Sequence, residues 1–508
     1  MVFKSLLSIK GNTTKESSDA INDLRLNQIL EAIAKCAKDE NYVKKILHER
    51  LTEKEDILYR QKILKDIEKT DIFNAIKSFS NGFSLVFEYL EKSKKERCEI
   101  TKQGWFLEAA LKYVSIVDEI TMALSSEMLE SEGLKNTVEY LKQYKSSDGF
   151  KGLKEKIKTV KSKLSSIQFN ITIKENRVSV SNFNGEKNLN EEMSALLYRF
   201  IEPDTETVEL QLAQSQILTN VEEKILEYVK KLNPEPFHEL DDFFESNQNF
   251  VDSGVKQLYQ ELDFYLSFLE FVKPLKEGGL SFAFPDIVEK GEKLLCKESF
   301  DLALALQLSK NNQKVITNDF YLNEGEKIFL ISGPNQGGKT TFARMVGQIF
   351  YLTLLGLKVP ASEASLFICD HIYTHFEKEE KVENKKGKLE DELLRAKKIL
   401  NSATEKSVII INEIFSATAL EDGYFLGSFL LKKILSIGAF CVFVTFMHKL
   451  AELDNSIVPL TSTVEPDNPA VRTFKIVRRK QFGKSYAVYL AQRYCLTYDC
   501  LKERLRNR

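Results

Sequence analysis

Cysteine is sparse and never arranged in a motif. The seven residues, Cys36, Cys98, Cys296, Cys369, Cys441, Cys495 and Cys500, are scattered, odd in number and without a C-x-x-C pair. That excludes a disulfide or zinc framework and points to reduced thiols in a cytosolic protein. Five dispersed histidines give no His/Cys metal cluster either. Proline is also rare, with ten residues and none before Pro203, so the N-terminal part can run in long helices. No apolar run approaches the roughly 20 residues that span a bilayer. Lys4 and Lys10 interrupt the N-terminal apolar residues before a signal-peptide core can form. A soluble, cytoplasmic protein with no membrane partner is expected. An excess of charge is missing too: 72 basic against 74 acidic residues leave a net charge of -2. Nucleic-acid binding therefore has to rest on local patches rather than on overall charge.

The length of 508 residues is too great for one compact core and implies about two to four domains. Helical spacing begins after a cap at Asn22 or Asp23, with Leu26, Ile29, Leu30, Ile33, Ala34 and Ala37 on one face. Similar Lys/Glu-rich periodic segments cover Leu51 to Ile76, Ser80 to Lys95 and Trp105 to Tyr144. The lysine run Lys151 to Lys163 has Leu153, Ile157, Val160 and Leu164 at helical spacing. It reads as the solvated face of a helix or as a contact to a DNA backbone. The period then switches to strand at Phe169, Ile171 and Ile173 and again at Val178 and Val180. Helix returns near Asn190 and runs to about Val272, broken at Pro234-Glu235-Pro236.

Lys276 to Pro285, KEGGLSFAFP, is the main boundary. Beyond it, strands at Ile328–Ile331, Val408–Ile411 and Phe440–Thr445 alternate with helices ending at Leu357 and spanning Tyr424–Ile437. This is the layout of a mostly parallel α/β sheet with its ligand at the strand ends. Glu377 to Lys388, EKEEKVENKKGK, is charged enough to form a mobile loop.

The first strand leads directly into Gly333-Pro334-Asn335-Gln336-Gly337-Gly338-Lys339-Thr340-Thr341, which satisfies G-x-x-x-x-G-K-[ST] in a strand–loop–helix context. Glycines let backbone N–H groups converge on phosphate, and the helix that follows turns its positive end to the same point. Lys339 is the candidate to neutralise the β- and γ-phosphates of ATP, with the Thr340 hydroxyl on Mg²⁺. The run Val408 to Ile411 ends in Asn412-Glu413, a partner strand of the Walker B kind. Asn412 offers Mg²⁺ an oxygen but no charge, which lowers metal affinity. Glu413 is the candidate base that orients or deprotonates the attacking water.

With these segments in place, GPNQGGKTTFARMVGQIFYLTLLGLKVPA resembles the nucleotide-binding segment of the MutS family of mismatch-repair ATPases. The similarity continues through Asp370-His-Ile-Tyr-Thr374, Ile411-Asn-Glu-Ile414, Asp422-Gly423 and Gly483-Lys-Ser-Tyr486. The resemblance implies an α+β multidomain protein, with a long-helix core and lever, a small inserted β clamp, and an ABC-type P-loop α/β ATPase domain. The corresponding segments are 1–164 (core and first lever), 165–200 (clamp-like insertion), 201–280 (returning lever helices) and 281–508 (ATPase). It further implies ATP and Mg²⁺ as ligands, a homodimer completing composite sites, and duplex or branched DNA as partner, with low turnover.

Several positions depart from the family pattern. The N-terminal mismatch-reading domain has no counterpart in the short segment Met1 to Ile21. Gly387-Lys388 stands where the family has a Ser-Thr signature acting across the dimer. Phe446 replaces a histidine, with His448 two residues on, and Val315 aligns with an adenine-stacking aromatic expected near Asn318. Lys388 is a candidate to supply positive charge in trans, or a solvated loop lysine. The basic run Lys475, Arg478, Arg479, Lys480 and Lys484, with Arg504, Arg506 and Arg508, suits DNA phosphates or dimer contacts equally.

Overall fold

A computed structural model of the protein describes residues 2–174, 177–185, 220–311, 313–377, 387–416, 418–465, 471–479, 491, 494–498 and 500–502. The chain divides into two compact units, one of residues 1–3, 74–127 and 138–256 and the other of residues 4–73, 128–137 and 257–508. Among the described residues no helix is long and apolar enough to cross a membrane. The result is a mixed α/β protein, with long helices and several sheets.

The first unit is helical. Glu99–Ser126 buries Phe106, Tyr113 and Val117, and Phe106 meets Phe243, Phe244 and Phe250 edge to face, a geometry that adds to simple burial. The lysine-rich helix Asp148–Ser165 is capped by Ser147 and buries Phe150, Leu153, Ile157 and Val160. Three of its six lysines are paired within the unit: Lys154 with Asp118 at 2.5 Å, Lys161 with Glu108 at 3.1 Å and Lys163 with Glu235 at 2.9 Å. The β-excursion is an antiparallel hairpin, Phe169–Lys174 with Arg177–Asn182, in which Ile171 faces Val180. Helix resumes over Asn220–Leu232 and Pro234–Ser246, with Pro234 at the first turn where its missing N–H costs nothing. The stretch expected to be helical from Asn190 lies outside the described residues as far as 219.

The second unit is built on a six-stranded sheet. Its strands are β1 (Ile328–Ser332), β2 (Ile372–His375), β3 (Val408–Asn412), β4 (Phe440–Val444), β5 (Ile457–Val464) and β6 (Arg472–Arg478), in the order β2-β3-β4-β1-β5-β6. All neighbours are parallel except the β5–β6 pair. The residues of β1, β3 and β4 are buried throughout, as strands covered on both faces require. Three helices frame the sheet: α1 (Lys339–Leu354), α2 (Lys388–Ser402) and α3 (Leu420–Ile437). Helix α1 stops three residues short of the expected Leu357. Gly356 turns left-handed at φ 71°, and the Leu357 N–H returns to the Leu352 carbonyl at 3.2 Å, which closes the helix end. Helix α3 starts at Leu420, one turn ahead of Tyr424. A separate four-stranded sheet contains Leu294–Ser299 and Asn318–Leu322.

Residues 4–73 belong to the same unit and bond to α1 and the residue after it. Tyr351 donates to the Leu47 carbonyl at 2.8 Å, Gln348 to the Leu24 carbonyl at 2.9 Å, and Arg60 to the Leu355 carbonyl at 2.9 Å. The expected cap at Asn22 or Asp23 is not the observed start of that helix. Ser17 caps a short helix, Ser18–Asp23, and the chain then turns through a left-handed Arg25 before Leu26–Ala34 begins. Asp23 instead spends its carboxylate on the Thr374 hydroxyl of β2, at 2.7 Å, so a tertiary bond takes the place of a cap.

Candidate nucleotide site

The loop from Gly333 to Gly338 joins β1 to α1 at the C-terminal edge of the parallel sheet, where α/β folds place ligands. Two of its glycines are sterically required. Gly333 sits at φ 126°, where a Cβ would collide with Ser462 Oγ, and Gly338 caps α1 at φ 90°. Gln336 is left-handed as well, at φ 59°. The first N–H groups of α1 have no helical acceptor and open toward the loop.

Lys339 is nearly buried, at 5% exposure. Its ammonium donates to the carbonyls of Gly333 at 3.0 Å and Pro334 at 3.1 Å and lies 3.8 Å from the Glu413 carboxylate. Desolvation lowers its pKa; the Glu413 charge opposes that shift and Arg472 adds to it. The Thr340 hydroxyl donates to Asn412 Oδ1 at 2.9 Å. Two ligands on adjacent corners of an octahedral Mg²⁺ site lie about 3 Å apart, given metal–oxygen distances near 2.1 Å. The Thr340 and Asn412 oxygens therefore fit Mg²⁺ as they stand. No cluster of three His, Cys, Asp or Glu residues suited to a metal occurs among the described residues.

Glu413 follows β3 and is held in a left-handed conformation, φ 55°, as is Phe415 at φ 59°. Each such residue costs about 1–2 kcal/mol and persists only where neighbours enforce it. Here the Glu413 N–H is bound by the Val444 carbonyl at 3.0 Å, and the Phe415 N–H by Glu392 Oε2 on α2 at 3.0 Å. Ile414 and Phe415 are buried in the apolar cluster between α3 and the sheet.

These groups border a cavity of about 720 Å³, within the range of small-ligand pockets. Gln336 to Thr341 and Glu413 line one part of it, and Leu304, Leu308, Val315, Ile316, Met345 and Phe474 give the rest an apolar wall. Asn318 is not itself the aromatic wall. It accepts from the Ile476 N–H at 2.7 Å and donates to the Phe474 carbonyl at 3.1 Å, fixing β6 against the cavity. Phe474, half-exposed and left-handed at φ 57°, lines it together with the buried Phe342. Sequence reasoning missed Phe474 and Ser462, because nothing local marks either one and the fold alone brings them beside the loop.

Residues 329–503 match the description "MutS domain V", and residues 52–278 match "MutS2 N-terminal domain". The DNA mismatch repair protein MutS of Bacillus cytotoxicus is 32% identical over 182 residues, 35% of this chain and 20% of that protein. The proteins of the same name from Bacillus thuringiensis and Bacillus cereus are 32% identical over 187 residues, 36% of this chain and 21% of theirs. The chain belongs to the MutS family. The matched stretch spans about a fifth of the length of these relatives.

Against the MutS pattern, the departures now have positions. Gly387 caps α2, and Lys388 in its first turn is paired with Glu377. Burial raises the pKa of Glu392, one turn on, against the Phe415 N–H and Lys388. Phe446 is half-exposed after β4, while Thr445 turns its hydroxyl to the Met447 N–H at 3.0 Å. The MutS-like Gly483 to Tyr486 lies outside the described residues, as do Lys480, Lys484, Arg504, Arg506, Arg508 and most of the loop expected at 377–388. Of the basic tail, Arg478 pairs with Glu326 and stacks on Tyr321, and Lys475 donates to the Thr317 carbonyl.

Proposed function

We propose that the chain is a MutS-type ATPase that binds DNA. Lys339 and the N–H groups of residues 335–341 bind the phosphates of ATP, and Thr340 and Asn412 hold Mg²⁺. When bound, the metal neutralises developing phosphate charge. Glu413 orients the attacking water and accepts its proton. The observation that carries this reading is the convergence of Thr340, Asn412, Lys339 and Glu413 from two strand ends at 2.9 and 3.8 Å.

Turnover on this reading is slow, because Asn412 brings no charge to the metal. The segments 1–164, 165–200, 201–280 and 281–508 serve as core and first lever, clamp, returning lever and ATPase, with residues 4–73 packed on the ATPase unit. Pairing of two copies, closed by ATP, moves the levers on duplex or branched DNA. The apolar stripe of Phe425 and Phe429 on α3, 70% and 55% exposed, supports self-association. A second reading, an ATP-gated DNA-binding or scaffold module with little turnover, is favoured by Asn412, Gly387 and Phe446.

Steady-state hydrolysis measured with and without duplex or branched DNA separates the two. The ATPase reading expects Mg-dependent turnover that DNA alters, and that effect should fade steeply with salt. The gating reading expects nucleotide-dependent DNA binding without turnover. Phe474→Ala is expected to weaken nucleotide binding by about 1–2 kcal/mol, the value of an aromatic–base stack. The loss should be equal for ADP and ATP in a calorimetric titration, because the base is common to both.

A further inference from the structure

The loop carrying Glu413 holds two non-glycine residues in left-handed geometry, Glu413 and Phe415. Such backbone needs enforcement from outside the loop. One clamp is the Val444 carbonyl on β4, part of the same sheet and as rigid as the sheet itself. The other is a side chain from a different element, Glu392 of α2, whose buried carboxylate accepts the Phe415 N–H at 3.0 Å. Glu392 does not itself line the cavity. It lies one helical turn beyond Lys388, so a shift of the first turn of α2 is felt at Glu392 and then at Phe415.

We infer that Glu392 is a positioning residue for Glu413: it holds the loop after β3 in the conformation that aims the Glu413 carboxylate and transmits movements of α2 to it. The inference rests on the proposed ATPase reading and adds a second layer to it. Nothing in the spacing of the sequence marks Glu392, which sits among Glu390 and Asp391 in an ordinary charged stretch. Its burial at 5% exposure separates it from them.

The test compares Glu392→Ala, Glu392→Gln and Glu413→Gln in the full chain. Loss of the clamp lets the loop drift, and misplacement on the scale of 1 Å can cost on the order of a hundredfold in rate. Glu392→Ala is therefore expected to lower kcat by tenfold to a hundredfold, roughly, with Mg·ATP affinity within about twofold of wild type. Glu392→Gln keeps an acceptor oxygen in the same place and should recover most of the rate. Adding Glu392→Ala to Glu413→Gln should cost nothing further, since both act through one group. A purely structural role would instead lower thermal stability and affinity together, and its loss would add to that of Glu413→Gln. Either that pattern or an unchanged kcat in Glu392→Ala overturns the inference. If wild type shows no turnover, the ATPase reading has failed, and amide exchange of residues 412–416 decides on the clamp. Faster exchange in Glu392→Ala than in wild type and Glu392→Gln supports it, and equal exchange in all three overturns it.

Discussion

Turnover of Mg·ATP is expected to fall by about 10²–10³-fold when Glu413 becomes Gln, with nucleotide affinity nearly unchanged. The substitution keeps the size of the side chain and its place at the cavity edge but removes the group that accepts the proton of the attacking water. Affinity survives because Glu413 contributes no attraction to phosphate; its negative charge lies 3.8 Å from Lys339 and competes for that ammonium. Removing the charge frees Lys339 for the ligand, so Kd is expected to stay equal or to tighten. Single-turnover hydrolysis beside a binding titration checks both halves. Weakened binding with normal turnover of bound nucleotide would show that Glu413 holds the ligand instead of activating water.

The second large effect concerns Lys339. Replacing it with Met is expected to weaken Mg·ATP binding by about 3 kcal/mol or more, over a hundredfold in Kd. The lysine has three donors, and two of them lie on the carbonyls of Gly333 and Pro334, so it braces its own loop as well as facing the cavity. Met fills the same buried volume but leaves the Glu413 carboxylate uncompensated toward a polyanion. Lys339→Arg is expected to restore little, because a planar guanidinium does not fit a space shaped around one ammonium. Equilibrium titration of each variant, after a thermal melt verifies folding, measures the loss.

The phosphate loop was legible in the sequence because its requirements are local. Left-handed glycines, a buried strand ahead and an amphipathic helix behind all fall within consecutive residues, and Asn412-Glu413 was legible as the polar end of an apolar strand. What could not be read was anything carried by single long-range bonds. Phe474 is held at the cavity by Asn318, over 150 residues earlier, which donates to the Phe474 carbonyl and accepts from the Ile476 N–H. The packing of residues 4–73 against the sheet rests on pairs such as Tyr351 with Leu47 and Thr374 with Asp23, each a lone side chain with no periodicity to announce it. The start of the first helix was missed for the same reason. Asp23 is a good cap by residue type, but its carboxylate accepts from the Thr374 hydroxyl instead. The hairpin at 169–182 was visible from alternation alone, and its register pairs Ile171 with Val180.

The central claim is that the cavity lined by Lys339, Thr340 and Glu413, with Asn412 bonded to the Thr340 hydroxyl, is a site for a magnesium nucleotide. Calorimetric titration of Mg·ATP into the folded wild-type chain tests it most directly. The account predicts saturable binding of one nucleotide per chain, weaker when Mg²⁺ is chelated and nearly lost in Lys339→Met. A folded chain that takes up no Mg·ATP, or binds it equally well without Lys339, would contradict it.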